Sequence, residues 1–167
     1  MKRNLVLSIA AAALAIVPAA FAETSILSIT VGPEASFASI GHVTLTNSTP
    51  FADYRGSTTY SYKIRTTEAS GSGSITVVVT AFTGTSAVVP QVADLKFGCV
   101  DAATTGECNG QGNQAVTTGT KTVTTFPAGF HSSESGNTAT VDWKLHDNTA
   151  VRTGSYSSTA TFTISAA

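Results

Sequence analysis

Cys99 and Cys108 are the only cysteines in the chain, and they sit in LKFGCVDAATTGECNG, residues 95–110. Thiols at that spacing have three chemical uses: holding a metal, cycling redox state, or forming a structural bridge. A zinc site needs a second cysteine pair or histidines close by, and none stands near them in sequence. A redox motif needs two intervening residues, and here there are too many. The simplest use is a disulfide that staples the loop. Gly98, Gly106 and Gly110 let that loop fold back, and closing it is worth about 2–3 kcal/mol by the chain-entropy argument.

The remaining reactive side chains form no recognisable catalytic set. His42, His131 and His146 show no two-histidine ligand spacing and read as exposed polar residues. Ser132, His131 and Asp142 have the types of a nucleophile, base and orienting acid. In so serine-rich a chain their co-occurrence carries no weight, and a GxSxG turn is missing. The GSGS at 71–74 lacks the lysine and following helix of a phosphate loop. Asp101 and Glu107 bracket a segment with acids only at its ends, unlike a calcium loop. Asn47-Ser48-Thr49 matches a glycosylation sequon, but Pro50 follows it and the segment reads as a turn. No cofactor, metal or enzymatic activity is expected.

Aromatic residues are the better binding candidates. Phe51 and Tyr54 share one loop, and Phe126 and Phe130 flank another. Such rings either stack on a glycan or close the ends of a core. Phe51, Tyr54 and Phe130 are therefore the candidate ligand contacts. Trp143 shares its strand face with Val141 and Leu145 and is expected to anchor the core.

The elements that must position these residues are strands. Period-two alternation marks segments 25–31, 40–46, 58–67, 74–82, 94–99, 120–126, 138–146 and 155–165. In TTYSYKIRTT, Tyr60, Tyr62 and Ile64 fall on one face and Ser61, Lys63 and Arg65 on the other. Ser70-Gly71-Ser72-Gly73 reads as a hairpin turn between two strong strands. Without helices to cover a parallel sheet, the sheets must cover each other. The expected fold is all-β, a single antiparallel β-sandwich of immunoglobulin-like or jelly-roll-like type with about eight strands.

The start of the chain addresses it for export. Lys2 and Arg3, an apolar run from Leu5 and the sequence Ala20-Phe21-Ala22 make residues 1–22 a signal peptide, leaving 23–167 as one domain. No later run is apolar for long enough to span a bilayer. Seven basic and ten acidic residues then remain, a net charge of −3 with dispersed cations, so nucleic acid is not an expected partner. Charged residues are only 11% of the chain against a usual ~25%. Serine, threonine and glycine supply the polar surface instead. That suits a secreted, cell-surface or periplasmic protein.

Gly154-Ser155-Tyr156 followed by alternation to Ile164 resembles the G-x-Y plus final strand of bacterial secreted immunoglobulin-like domains of adhesin or pilus-subunit type. Asp142-Trp143-Lys144-Leu145 is similar to a Trp-x-Leu wall-binding motif, but Phe162-Thr163-Ile164 stands where the second copy belongs. Export, a strand-only pattern, a hydroxyl-rich surface and the missing catalytic and metal motifs point to a non-catalytic structural or adhesive protein. Its partners would be other copies or other surface proteins, met through edge strands. A carbohydrate-binding module working through the loop aromatics is the alternative, with glycans as partners.

Overall fold

Alternating burial along each long strand is the organising feature of the computed structural model, which describes residues 26–101, 107–108 and 114–167. The expected signal peptide, 1–22, lies outside them. Residues Val31–Ala167 form one compact unit. The strands are β1 (Glu34–Ile40), β2 (Tyr54–Arg65), β3 (Gly73–Val79), β4 (Thr83–Gly84), β5 (Leu95–Asp101), β6 (Glu107–Cys108), β7 (Gln114–Ala115), β8 (Lys121–Phe126), β9 (Asn137–Leu145), β10 (Tyr156–Ser157) and β11 (Ala160–Ala166). A single 3-10 turn, Val92–Asp94, precedes β5, and no α-helix occurs among the described residues.

The long strands build two antiparallel sheets. One runs β1-β2-β9-β5-β7, the other β11-β3-β8-β6, and β4 pairs with β10 in a small ribbon. The all-β antiparallel expectation holds. The two sheets cover each other, because rings from one interleave with rings from the other. Tyr60 of β2 lies 5.6 Å from Phe162 of β11, and Tyr62 of β2 lies 5.6 Å from Phe126 of β8. Alternation drives this: Thr58, Tyr60, Tyr62 and Ile64 are buried on β2, and Ala139, Val141, Trp143 and Leu145 on β9. Their outward neighbours are hydroxyl-bearing or charged, so a one-residue slip would exchange core and surface on the whole strand. In β8 a register shift opposite Ile75 and Thr76 of β3 breaks the alternation. That bulge lets Val123, Thr124 and Phe126 all face inward.

Four sequence expectations are corrected. Residues 26–31 carry no strand although their alternation is clean, and Ile26, Leu27 and Ile29 are exposed. The strand expected at 40–46 lies earlier, at Glu34–Ile40, and only Thr46 farther on keeps a bridge, to Arg55. The Ser-Gly-Ser-Gly segment is not a hairpin. It carries the chain from β2 in one sheet to β3 in the other, because the apolar faces of both strands must meet across the core. The final strand is broken: β10 pairs with β4, and the chain then enters β11 beside β3. Eleven strands thus replace the expected eight among the described residues, four of them only two residues long.

Candidate functional site

The loop between Thr46 and Arg55 is closed by paired backbone hydrogen bonds, Thr46 N–H to Arg55 C=O at 2.9 Å and the reverse at 2.8 Å. Phe51 sits in it with φ +61° and is 77% exposed. That left-handed conformation costs a bulky side chain about 1–2 kcal/mol relative to ordinary backbone. Tyr54 follows at the start of β2, opposite Leu145 of β9, and is half-buried against the core.

Asp53 organises the charges beside this loop. One carboxylate oxygen accepts from Lys144 Nζ at 2.9 Å, and the other lies 3.0 Å from His146 Nδ1. Lys144 first, then His146, hold the carboxyl at about 2, below its ordinary 3.8. Such a weakly basic carboxylate is a poor proton acceptor at neutral pH. What the group can do is fix the loop and present a cation and an imidazole to solvent. Sequence reasoning missed the trio. Lys144 and His146 share the outward face of β9, a visible signal, but only the β2–β9 register brings Asp53 to them.

Asp53 gives a pH prediction. Its folded pKa lies below the unfolded value, so its contribution to stability is full above about pH 4 and is lost as pH falls toward 2. The thermal midpoint of the wild-type protein should therefore fall more steeply between pH 4 and 2 than that of Asp53→Asn. Equal slopes would show that the ion pairs do not hold in solution.

Phe130 does not join Phe51 and Tyr54. Its ring lies 4.8 Å from that of Phe126 and packs half-buried against the core. Its backbone is tied to Thr66, which donates its N–H to Phe130 C=O at 2.9 Å and accepts the Phe130 N–H on Oγ1 at 2.9 Å. Thr66 follows the last residue of β2, and Tyr54 is the first. A twelve-residue strand separates its ends by roughly 35 Å. The loop aromatics thus lie at opposite ends of the sandwich, with Phe130 closing one end of the core.

The other candidates resolve in structural terms. Trp143 is 4% exposed and donates its indole N–H to Thr58 Oγ1 at 2.9 Å. Ser132 Oγ accepts the Ile64 N–H at 2.9 Å, and Asp142 accepts from Ser57 Oγ at 2.6 Å, so Ser132, His131 and Asp142 do not assemble. Among the described residues no three acids, histidines or cysteines gather as a metal site, and no helix is long and apolar enough to cross a membrane.

Cys99 faces the core from β5, 7% exposed, with Sγ 3.3 Å from the Val123 carbonyl oxygen of β8. Cys108 lies in β6, paired with Thr124 of β8. The side chain of Cys108, and with it the expected bridge, lies outside the described residues. The backbone nevertheless sets the two cysteines in different sheets, both against neighbouring residues of β8.

A shallow depression of about 310 Å³ lies beside the segment joining β4 to β5, lined mainly by Phe82, Val89, Val92 and Val116. It presents no titratable side chain. The fold and these surfaces define an all-β protein of two antiparallel sheets around an aromatic core. Comparison with protein-family models, curated proteins and solved structures finds no match.

Proposed function

We propose that this chain is an exported, non-catalytic structural or adhesive β-sandwich protein: a surface or filament subunit, or a secreted interaction module. The observation that supports it is the hydroxyl ladder on the outer face of the larger sheet. Ser57 meets Asp142, Thr59 lies 3.3 Å from Thr140, and Ser61 lies 3.4 Å from Thr138, three successive cross-strand pairs on β2 and β9. On the other sheet Ser74 and Ser165 pair at 3.2 Å. Such hydroxyl rows can exchange hydrogen bonds with a neighbouring surface, beside the charges of Arg55, Lys63, Arg65 and Lys144 on the same face of the larger sheet. Fractionation with N-terminal sequencing tests the reading. The protein should be recovered outside the cytoplasm beginning at Glu23, and a cytoplasmic protein retaining residues 1–22 would overturn it.

Export also bears on the cysteines. In an oxidising compartment Cys99 and Cys108 form a disulfide that joins the two sheets across β8. Thiol labelling of the non-reduced protein should modify neither cysteine, and reduction should lower the thermal midpoint by roughly 5–10 °C. Labelling of both without reductant would remove the bridge.

A second reading, a carbohydrate-binding module, is favoured by Phe51. An exposed ring in a left-handed backbone, beside Asp53, Lys144 and His146, suits stacking on a sugar face with polar groups at its rim. Phe51→Gly relieves the backbone and removes the ring. It should keep or raise the thermal midpoint while abolishing glycan binding. A glycan array silent for the wild-type protein would end this reading.

A further inference from the structure

We propose that the outer face of the larger sheet carries a binding site for a carboxylate-bearing polysaccharide, centred on the row Arg55, Lys144 and Lys96. This site rests on the adhesive reading and gives it a surface and a class of partner.

Along the chain the cations look dispersed, but the fold gathers them. Seven basic residues follow residue 22, and five of them, Arg55, Lys63, Arg65, Lys96 and Lys144, stand on the outer face of the larger sheet. Register aligns three of the five. Lys144 of β9 lies directly opposite Arg55 of β2 on one side and Lys96 of β5 on the other. The row continues without an acid to Thr46 beyond Arg55 and to Ala115 beyond Lys96. Like charges directly opposite on paired strands destabilise a sheet. Only 11% of the chain is charged, so three cations in line are a local cost that folding does not explain. Such breaks of a local rule concentrate at functional sites.

The three cations are not equally free. Asp53 accepts from Lys144 Nζ at 2.9 Å and holds it in place. Arg55 and Lys96 are exposed and form no ion pair among the described residues. They present their charges to solvent on either side of a fixed ammonium. Neighbouring strands lie about 4.8 Å apart, so the row spans about 10 Å, the length of a disaccharide unit. Arg55 offers the fork that takes a carboxylate through parallel hydrogen bonds, and Lys96 offers a point charge. The next row toward the middle of the sheet supplies Ser57 and Asp142, joined at 2.6 Å, and beyond them stand Thr59 and Thr140. These groups donate to and accept from sugar hydroxyls.

The flanking acids select the class of polyanion. Duplex nucleic acid carries a charge about every 1.7 Å of axis and would press phosphates against Asp53 and Asp142. A polyuronate carries its charges a sugar ring apart. It can set carboxylates at Arg55 and Lys96 while its hydroxyls face the two acids. The outward residues of β2 and β9 include no aromatic ring, so single-stranded bases have nothing there to stack on.

Calorimetric titration of the purified protein with polygalacturonate tests the site, with the methyl ester as the uncharged form of the same polymer. The wild type should bind polygalacturonate and not the ester, with affinity falling on the order of tenfold between 50 and 200 mM salt. Arg55→Gln/Lys96→Gln should weaken binding by about tenfold or more with no loss of thermal midpoint, because both side chains are exposed and their removal relieves repulsion along the row. Lys121→Gln/Arg152→Gln makes the same charge change away from that sheet and should bind within about twofold of wild type. Equal weakening of the two double variants would reduce the attraction to net charge and overturn the row. Equal binding of polymer and ester, or tighter binding of DNA or of phosphatidylserine vesicles, would overturn the class of partner. Absence of binding to polygalacturonate would overturn the site. Failure of the adhesive reading shows separately, in fractionation, as a cytoplasmic protein retaining residues 1–22.

Discussion

Trp143→Ala is expected to lower stability by about 4 kcal/mol, the largest effect of any single truncation in this core. Trp143 is the only tryptophan in the chain. It lies on β9, the middle strand of the larger sheet, with its ring centroid 6.1 Å from Phe97 and 6.3 Å from Phe162 of the facing sheet. Removing the indole opens a void between sheets that strands on either side cannot collapse to fill, since their register is held by β2 and β5. The indole N–H bond to Thr58 is lost too, and Thr58 is 4% exposed, so its hydroxyl loses a partner it cannot replace with bulk water. Circular dichroism should report a thermal midpoint roughly 10–15 °C lower. Trp143→Phe separates the terms: it keeps most of the apolar contact and should cost about half as much. A drop under about 1 kcal/mol for the alanine variant would show that the ring does not bridge the sheets.

Where apolar and polar residues strictly alternate, the sequence was readable. Tyr60, Tyr62 and Ile64, or Val141, Trp143 and Leu145, cannot all be buried unless the backbone is extended, and the observed strands contain both sets. Alternation alone does not identify a partner. The 25–31 pattern is as clean as any, yet residues 26–31 form no strand. EASFASI, with alanine and serine diluting one phenylalanine, reads weakly yet becomes β1, since pairing with β2 supplies what its side chains do not. Sheet assignment was less visible still. The Gly-rich turn after β2 looks like a tight hairpin locally, and only core closure dictates that the chain change sheets there.

The candidate surfaces follow the same division. Phe51 and Tyr54 are neighbours in sequence and remain so in space. The distance from them to Phe130 depends on the full length of β2, which local pattern does not measure. Asp53 meets Lys144 and His146 through a register spanning some ninety residues of chain, so their adjacency follows from pairing and from nothing either segment shows alone. The two cysteines stood out in the sequence by their rarity. Their placement in opposite sheets required knowing that β6 joins β8 and not β5.

Gly71→Ala should cost about 3 kcal/mol, a thermal shift of roughly 10 °C. At this residue the chain leaves one sheet for the other, and the C-terminal residue passes alongside. Gly71 donates its N–H to Thr67 C=O at 3.1 Å, while Ala167 C=O accepts from both Thr67 at 3.0 Å and Ser72 at 3.2 Å. A Cβ at position 71 would stand 2.3 Å from Thr67 N, 2.4 Å from Ala167 O and 2.6 Å from Thr67 O. All three are backbone atoms, so no side chain can rotate away. Relief requires shifting the crossing itself or releasing the chain end that closes β11 against β3. Exchange protection should therefore fall first at the Thr67 and Ser72 amides, both bonded to Ala167 C=O, and then along β11. Gly32→Ala is the control, because nothing lies within 4 Å of its added methyl. That variant should melt with the wild type. If Gly71→Ala also melted with the wild type, the tight crossing, and with it the passage of the C-terminus beside the sheet change, would be wrong.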